Sequence, residues 1–558
     1  MSGPAQWLAG HAAATPDAPC VGTPDSGWVT YGQLQREVRR VRAQLSALGV
    51  KRGDRVLLAL PNVPGTVATW CAVQSLGATS VELDRAWSEG ALAEVLRQVK
   101  SGLAIISGRD VRKWLGLAGP KLLLMHPTHP PATVQSLVGD RYAGWLPESP
   151  LPKGEGQGEG RSEPPFTPSG VEGRTEDPPD VAQIVFTSGT TSTPRGVLQT
   201  TRNLKASTDG IVEYLHLTSA DRAMLVLPLF YVYGKSVLLS HLRVGGSIFL
   251  DERFMYPRVV MEALSAQRCT NFAGVPVTFE SLRRHVDLST LDLSSLRFVT
   301  QAGGAMQQDT ITWARGAFAP ALLYVMYGQT EATSRLSFLP PALALEKKGS
   351  VGRGMPGVEL RVVNEQGVPV PAGSEGHLVA RGDVVMPGYL DAPEETAKVL
   401  RDGWLWTGDL ATWDADGYVT ITGRSKHVLK LGGHRVAPAE LERALTSRVG
   451  VREAVVVGAP DKLEGEVAIA FVISDDAQLD ATALLRHCRT VLPAPRVPKT
   501  VVLVPDFPRN TSGKVLVGEL IKRAAELTRD AVQPELKTPI QPEPVQAERS
   551  RGPVTEAS

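Results

Sequence analysis

The sequence predicts an α/β protein of two unequal bodies: a large N-terminal one around a largely parallel sheet, and a small α+β one near the C-terminus. Three observations carry that prediction. Helix-like and strand-like segments alternate from the N-terminus to about Pro340, the pattern of layered α/β architectures. Short, turn-punctuated, strand-like segments follow from Gly349 to Thr422. A fresh αβ pattern then begins after Gly423, and 558 residues exceed what one hydrophobic core accommodates.

Tyr31 to Leu48 places apolar residues at helical spacing, with Gly49 as the stop signal. Arg55–Leu60 is a short buried-strand run, and helix-like Thr66–Leu76 with strand-like Thr79–Leu83 repeats the unit. From Pro150 to Asp180 the composition turns to Gly, Glu, Pro, Ser and Arg. Such a stretch buries too little apolar surface to offset its ordering entropy, so residues 150–180 are expected to be a disordered insertion. Its Gly154–Gly160 run has no strand before it and no helix after it, and is rejected as a nucleotide loop. The α/β pattern resumes at Gln183, with strands expected at Ala223–Leu227, Ser247–Leu250 and Leu322–Met326. Val358–Val363, His377–Ala380 and Tyr418–Ile421 read as the strands of the turn-rich region. In the last body, Pro438–Ser447 and Ala481–Val491 read as helices; Val451–Gly458, Val467–Ile473 and Thr500–Val504 read as strands. Beyond Arg529 the Pro-, Glu- and Gln-rich tail is expected to be disordered.

Fifty-nine basic against 58 acidic residues leave a net charge of +1, so no basic stripe for nucleic acid is expected. The four cysteines lie far apart without a C-x-x-C pair, which argues for reduced thiols and against a zinc site or disulfide framework. No leader-like N-terminus and no run of 18 apolar residues is present, so the expectation is a soluble cytoplasmic protein without a membrane span.

Thr187-Ser188-Gly189-Thr190-Thr191-Ser192-Thr193-Pro194-Arg195-Gly196 lies between two apolar runs. Backbone N–H groups, hydroxyls and one fixed cation suit an anion, with phosphate the obvious candidate. The G-x-x-x-x-G-K-[ST] spacing is absent, and alone the segment also fits a flexible surface loop.

Further motifs follow in order: Gln301–Gly304, Tyr327-Gly328-Gln329-Thr330-Glu331, Glu375–Gly382, Pro387–Tyr389, Thr407-Gly408-Asp409, Gly423-Arg424-Ser425-Lys426, Leu431–Val436 and Pro508–Lys514. Together with the hydroxyl-rich loop they resemble the adenylate-forming (AMP-binding) superfamily of acyl-CoA synthetases over roughly residues 5 to 530. The resemblance implies a large adenylation domain at 1–424, a hinge at 425–426 on Lys426, a mobile C-terminal domain at 427–529 and a tail at 530–558. It implies ATP, Mg²⁺ and coenzyme A as cosubstrates. Thr187, Ser188, Gly189, Thr190, Thr191 and Arg195 would face the β- and γ-phosphates, and Glu331 would hold Mg²⁺ with Thr330 on a phosphate oxygen. Tyr327 and Gly328 would lie at adenine beside Gly303 and Gly304, with Asp409 and Arg424 on the ribose. Lys514 would bridge the carboxylate and the α-phosphate, and Gly432 and Gly433 would line the thiol's tunnel. Residue chemistry agrees: joining a carboxylate to a phosphate requires screening of two anions and in-line alignment.

Ser192 stands where the family has glycine and Arg195 where it has lysine. Arginine keeps the charge and grips phosphate bidentately, so activity is expected to survive. Tyr231 replaces a frequent histidine at the acyl pocket, which Val232 and Gly303 would also line. Pro228–Gly234 contains no aspartate to pair with an ammonium, which disfavours an amino-acid substrate and leaves a plain carboxylic acid, fatty or aromatic. An acyl-AMP ligase serving a carrier protein is the nearest alternative. A catalytically degenerate nucleotide-binding scaffold is the alternative of another class.

Overall fold

The structure is a computed structural model that describes residues 3–117, 119–125, 142–146, 180–187, 194–425, 429–431, 434–461, 465–493, 496–509, 513 and 515–530. Nearly all of the expected insertion and the tail beyond 530 lie outside the described residues; Asp180 is a turn. The chain divides into two compact units, Met1–Lys426 with Arg509–Val515, and His427–Pro508 with Leu516–Ser558.

The larger unit is built on two sheets. In the seven-stranded one, Arg55–Ala59, Thr79–Glu82, Leu103–Ser107, Lys121–Met125 and Val181–Thr187 run parallel. Arg55–Ala59 and Leu103–Ser107 are buried at every position, as strands covered on both faces must be. Arg195–Thr200 closes one edge of this sheet as the antiparallel partner of Val181–Thr187.

The 14-stranded sheet begins parallel, through Pro19–Thr23, Ser247–Leu250, Arg222–Leu225, Asn271–Gly274, Phe298–Gln301 and Leu322–Tyr327. It then turns antiparallel through Ser337–Leu339, Ser350–Gly354, Val419–Arg424, Trp404–Trp413, Gly376–Arg381 and Glu359–Val363. The expected break in strand character near Gly349 is therefore real, yet both halves belong to one sheet.

Tyr31–Ala47 starts from a capping box in which Thr30 and Gln33 satisfy each other's backbone, and it buries Leu34, Val38, Val41 and Leu45. The expected Thr66–Leu76 helix starts two residues earlier, because Pro64 supplies a ready-made first-turn φ. In the smaller unit, Val451–Asp461, Gly465–Ser474 and Thr500–Leu503 form a sheet packed by Pro438–Thr446 and Ala481–Val491 around Leu441, Val456, Ala470 and Leu484. All four cysteines are buried and free. Among the described residues no helix is long and apolar enough to cross a membrane, and no cluster of metal-ligating side chains occurs.

Candidate active site

Thr187 ends its strand directly opposite Arg195, the first residue of the antiparallel partner strand in the same hairpin. Ser188, Gly189, Thr190, Thr191, Ser192 and Thr193 lie outside the described residues. The Arg195 guanidinium is 3.0 Å from Glu395 and lies over the Tyr389 ring at 5.7 Å.

This hairpin is tied to the Tyr327–Glu331 motif through two buried glutamines. Gln183 Nε2 donates to Gln199 Oε1 at 2.6 Å, and Gln199 Nε2 donates to the carbonyls of Thr330 and Thr333 at 2.9 and 3.3 Å. Thr330–Ala332 is a single 3₁₀ turn, and it leads into Thr333 at φ 64°, ψ −47°. A β-branched residue there is a costly outlier, and the Ser334 N–H to Ala332 carbonyl bond of 2.6 Å makes the turn a γ-turn. The strain is held by the Thr333 hydroxyl, which donates to the Val384 carbonyl at 2.6 Å.

Glu331 is fixed at both ends: its carbonyl accepts from Met386 N–H at 2.9 Å, and its Oε1 accepts from the Tyr389 hydroxyl at 2.9 Å. Its Oε2 accepts no hydrogen bond among the described residues. One anchored and one available carboxylate oxygen suits Mg²⁺, which is held through one or two carboxylates and the substrate's phosphates. Burial, then the Glu331 charge, pushes the Tyr389 phenol well above its ordinary range, so it stays a donor.

Asp409 sits on Trp404–Trp413 opposite Arg424 on the neighbouring strand. It is 3 % exposed. Its Oδ1 is 2.7 Å from Arg424 Nε, and its Oδ2 accepts from the Tyr327 hydroxyl at 2.5 Å. Desolvation first, and the Asp409 charge second, holds the Tyr327 proton in place. The ribose role expected for this carboxylate therefore falls on a group already engaged by two neighbours, one of them the half-exposed Arg424.

Gly328 has to be glycine: a Cβ there would stand 1.9 Å from the Ser334 carbonyl oxygen and 2.8 Å from Arg335 Cα. Gly303 has φ +87°, and a Cβ on it would meet Val275 at 3.1 Å, while the Gly304 carbonyl accepts from Gln301 Nε2 at 2.7 Å.

Tyr231 is the N-cap of the Val232–Val244 helix, with Val232 as its first residue and the Phe230 ring 4.5 Å away. Lys235, one turn on, is committed elsewhere: its Nζ is 2.6 Å from Glu82 Oε1 and 4.5 Å from the Trp70 ring centroid. Burial raises the Glu82 carboxyl and the ammonium of Lys235 opposes it.

Lys426, Gly432, Gly433 and Lys514 lie outside the described residues. Gly513, in the segment grouped with the larger unit, faces Val275 and Val277, with Val275 shared between it and Gly303. Gln183, Gln199, Arg335 and the role of Tyr389 escaped the sequence reading. For Gln183 and Gln199 the signal was a polar residue placed within an apolar, strand-like run.

The AMP-binding enzyme model matches residues 8–390, and its C-terminal domain model matches residues 440–514. A feruloyl-CoA synthase from an Amycolatopsis species is 34% identical over 498 residues, covering 89% of this chain and 94% of that protein. A sulfoacetate–CoA ligase from Cupriavidus necator is 31% identical, covering 93% and 97%. Among solved structures, o-succinylbenzoate CoA synthetase from Bacillus subtilis with its acyl-adenylate intermediate superposes with a TM-score of 0.76 at 25% identity, over 92% of this chain and 97% of that one. ATP-bound MatB from Rhodopseudomonas palustris gives 0.78 at 25% identity, over 94% and 99%. The chain belongs to the AMP-binding enzyme family, with that family's large N-terminal and small C-terminal domains.

Proposed function

We propose that this chain is an AMP-forming acid–CoA ligase. A carboxylate oxygen attacks the α-phosphorus of ATP, the bond to the β-phosphate breaks, and pyrophosphate leaves. The thiolate of coenzyme A then attacks the acyl carbon, and AMP departs with the electron pair of the C–O bond. The observation that carries this reading is the Glu331 carboxylate, anchored by Tyr389 on one oxygen and available on the other, in the same bonded network as the hairpin that ends at Thr187 and Arg195.

Within that reading, Thr187, Ser188, Gly189, Thr190, Thr191 and Arg195 cradle the leaving phosphates. Mg²⁺, when bound with ATP, offsets the phosphate charge, and Glu331 is its protein ligand beside Thr330. Tyr327, Gly328, Gly303 and Gly304 receive adenine, and Asp409 with Arg424 the ribose. Lys514 neutralises the repulsion between the two reacting anions. Lys426 is the hinge that exchanges this arrangement for one in which Gly432 and Gly433 admit the thiol arm.

The acids named for the relatives range from feruloyl to sulfoacetate, so the acid itself is not fixed by likeness. Pyrophosphate exchange across a panel of carboxylic acids tests the reading, followed by product analysis with coenzyme A and with a phosphopantetheinylated carrier protein. Acid-dependent exchange with thioester on coenzyme A is expected. Thioester on the carrier alone would instead make the chain an acyl-AMP ligase, and exchange without any acid would make it a degenerate nucleotide binder.

A further inference from the structure

Arg335 is 2 % exposed, and its Nε and Nη1 find no hydrogen-bond partner. Among the described residues no carboxylate pairs with it. Its guanidinium lies over the Tyr233 ring at 4.9 Å and interacts with the Tyr214 and Tyr233 phenols, which leaves Nε and Nη1 unsatisfied. A buried cation in that condition is costly, and proteins normally pair it with an anion or saturate its donors.

The side chain lines a cavity of about 20 Å³ between the Thr201–Leu215 and Val232–Val244 helices and the strands Asn271–Gly274, Phe298–Gln301 and Leu322–Tyr327. That room admits a water or a compact terminal group, and nothing larger without adjustment. No carboxylate lines it. His241 cannot supply a charge either, because its two ring nitrogens are taken by the Val237 carbonyl at 2.8 Å and the Asn271 amide at 3.0 Å. Burial lowers its pKa further, so the ring is neutral. The Tyr233 hydroxyl is occupied with Thr300. The unsatisfied donors at this cavity belong to Arg335.

The place of the cavity gives those donors a use. Two of its walls, Thr300 and Met326, directly precede the Gln301–Gly304 and Tyr327–Glu331 motifs. Arg335 leaves the backbone beside Gly328, and Leu336 N–H is bonded to the Tyr327 carbonyl at 2.9 Å. In open α/β sheets ligands bind beyond the carboxyl ends of the strands; Thr300 and Met326 each stand one residue short of such an end, while Asn271 and Phe298, the first residues of their strands, close the cavity behind.

We propose that Arg335 determines acyl specificity and that the acid carries, besides its reacting carboxylate, a second compact oxyanion, carboxylate or sulfonate, which Nε and Nη1 bind. The inference rests on the ligase reading above and narrows its substrate to short acids with a charged far end.

The test is pyrophosphate exchange with pairs of acids of equal length, one ending in methyl and the other in carboxylate or sulfonate. A charge-assisted hydrogen bond predicts a wild-type preference of about 10- to 100-fold in kcat/KM for the oxyanion-ended acid. Arg335→Met should erase or invert that ratio, and Arg335→Lys should keep part of it. Thermal melting without ATP supplies a readout independent of turnover: the oxyanion-ended acid should raise the wild-type Tm and fail to raise that of folded Arg335→Met. A wild-type preference for the methyl-ended acid overturns the inference and leaves the ligase reading intact. So does an equal loss on both acids in Arg335→Met, which would mark a purely structural arginine. Absence of exchange with every acid overturns both.

Discussion

The Tyr389 hydroxyl donates a hydrogen bond to Glu331 Oε1 at 2.9 Å, while its ring lies beneath the Arg195 guanidinium at 5.7 Å. One phenol thereby links the two ends of the proposed phosphate site, the cation at the hairpin and the carboxylate meant for Mg²⁺.

Glu331→Gln is expected to lower the exchange rate about 10²- to 10³-fold, the usual loss for one preorganised electrostatic group, and to raise the Mg²⁺ concentration needed for half-maximal rate. Tyr389→Phe removes only the orienting hydrogen bond and should cost about 10-fold. Mg²⁺ titrations of both variants check this; a larger defect in Tyr389→Phe than in Glu331→Gln would contradict the division of roles.

Asp409 takes hydrogen bonds from Tyr327 and Arg424 on separate oxygens while almost wholly buried. Asp409→Asn weakens the pairing with Arg424 and is expected to raise the KM for ATP about 10- to 100-fold, with a smaller change in kcat. Initial rates against ATP and against acid separate the effects. A shift in the acid's KM with none in that for ATP would remove Asp409 from the nucleotide site.

Lys514 and Gly433 should divide the reaction. Lys514→Ala is expected to abolish pyrophosphate exchange, a loss of about 10² to 10³, and still make thioester from supplied acyl-AMP. Gly433→Leu should do the reverse, since a side chain blocks a passage that glycine leaves open. Assaying each half-reaction in both variants settles it; equal loss of both halves in Lys514→Ala refutes its role.

In the smaller unit, burial pushes the Glu442 carboxyl up to about 7, against the opposing Val456 N–H, which donates to Oε1 at 2.9 Å. The folded form therefore holds a proton that the unfolded chain, with an ordinary glutamate pKa of about 4.3, releases. Stability falls as pH rises between those two values and then levels off. Glu442→Gln keeps the acceptor and removes the charge, so it should match wild type near pH 4 and exceed it at pH 8 by about 1–3 kcal/mol. Denaturant melts at both pH values check this; a less stable variant at pH 8 would show that the carboxylate is ionised and satisfied.

The layered fold was legible because its signals are local. Ser247–Leu250 and Ala481–Val491 occur as expected, and Leu322–Tyr327 extends its expected range by one residue. The site motifs were legible as types, since hydroxyls, glycines and single charges at family spacing carry their chemistry with them. What could not be read is pairing across long separations. Gln199 reaches Thr330 across 131 positions, and Tyr327 reaches Asp409 across 82. No periodicity encodes such contacts. Arg335 was hidden differently, because its interest lies in partners it lacks within a buried wall, which only three-dimensional packing reveals.

The central claim, attack of the acid's own carboxylate on the α-phosphorus of ATP, is tested most directly by isotope transfer. An acid that supports exchange, labelled with ¹⁸O in both carboxylate oxygens, should be turned over with ATP and coenzyme A and the products weighed by mass spectrometry. AMP carrying one ¹⁸O with unlabelled pyrophosphate is the predicted result. Label in orthophosphate alongside ADP, or AMP without label, would contradict it.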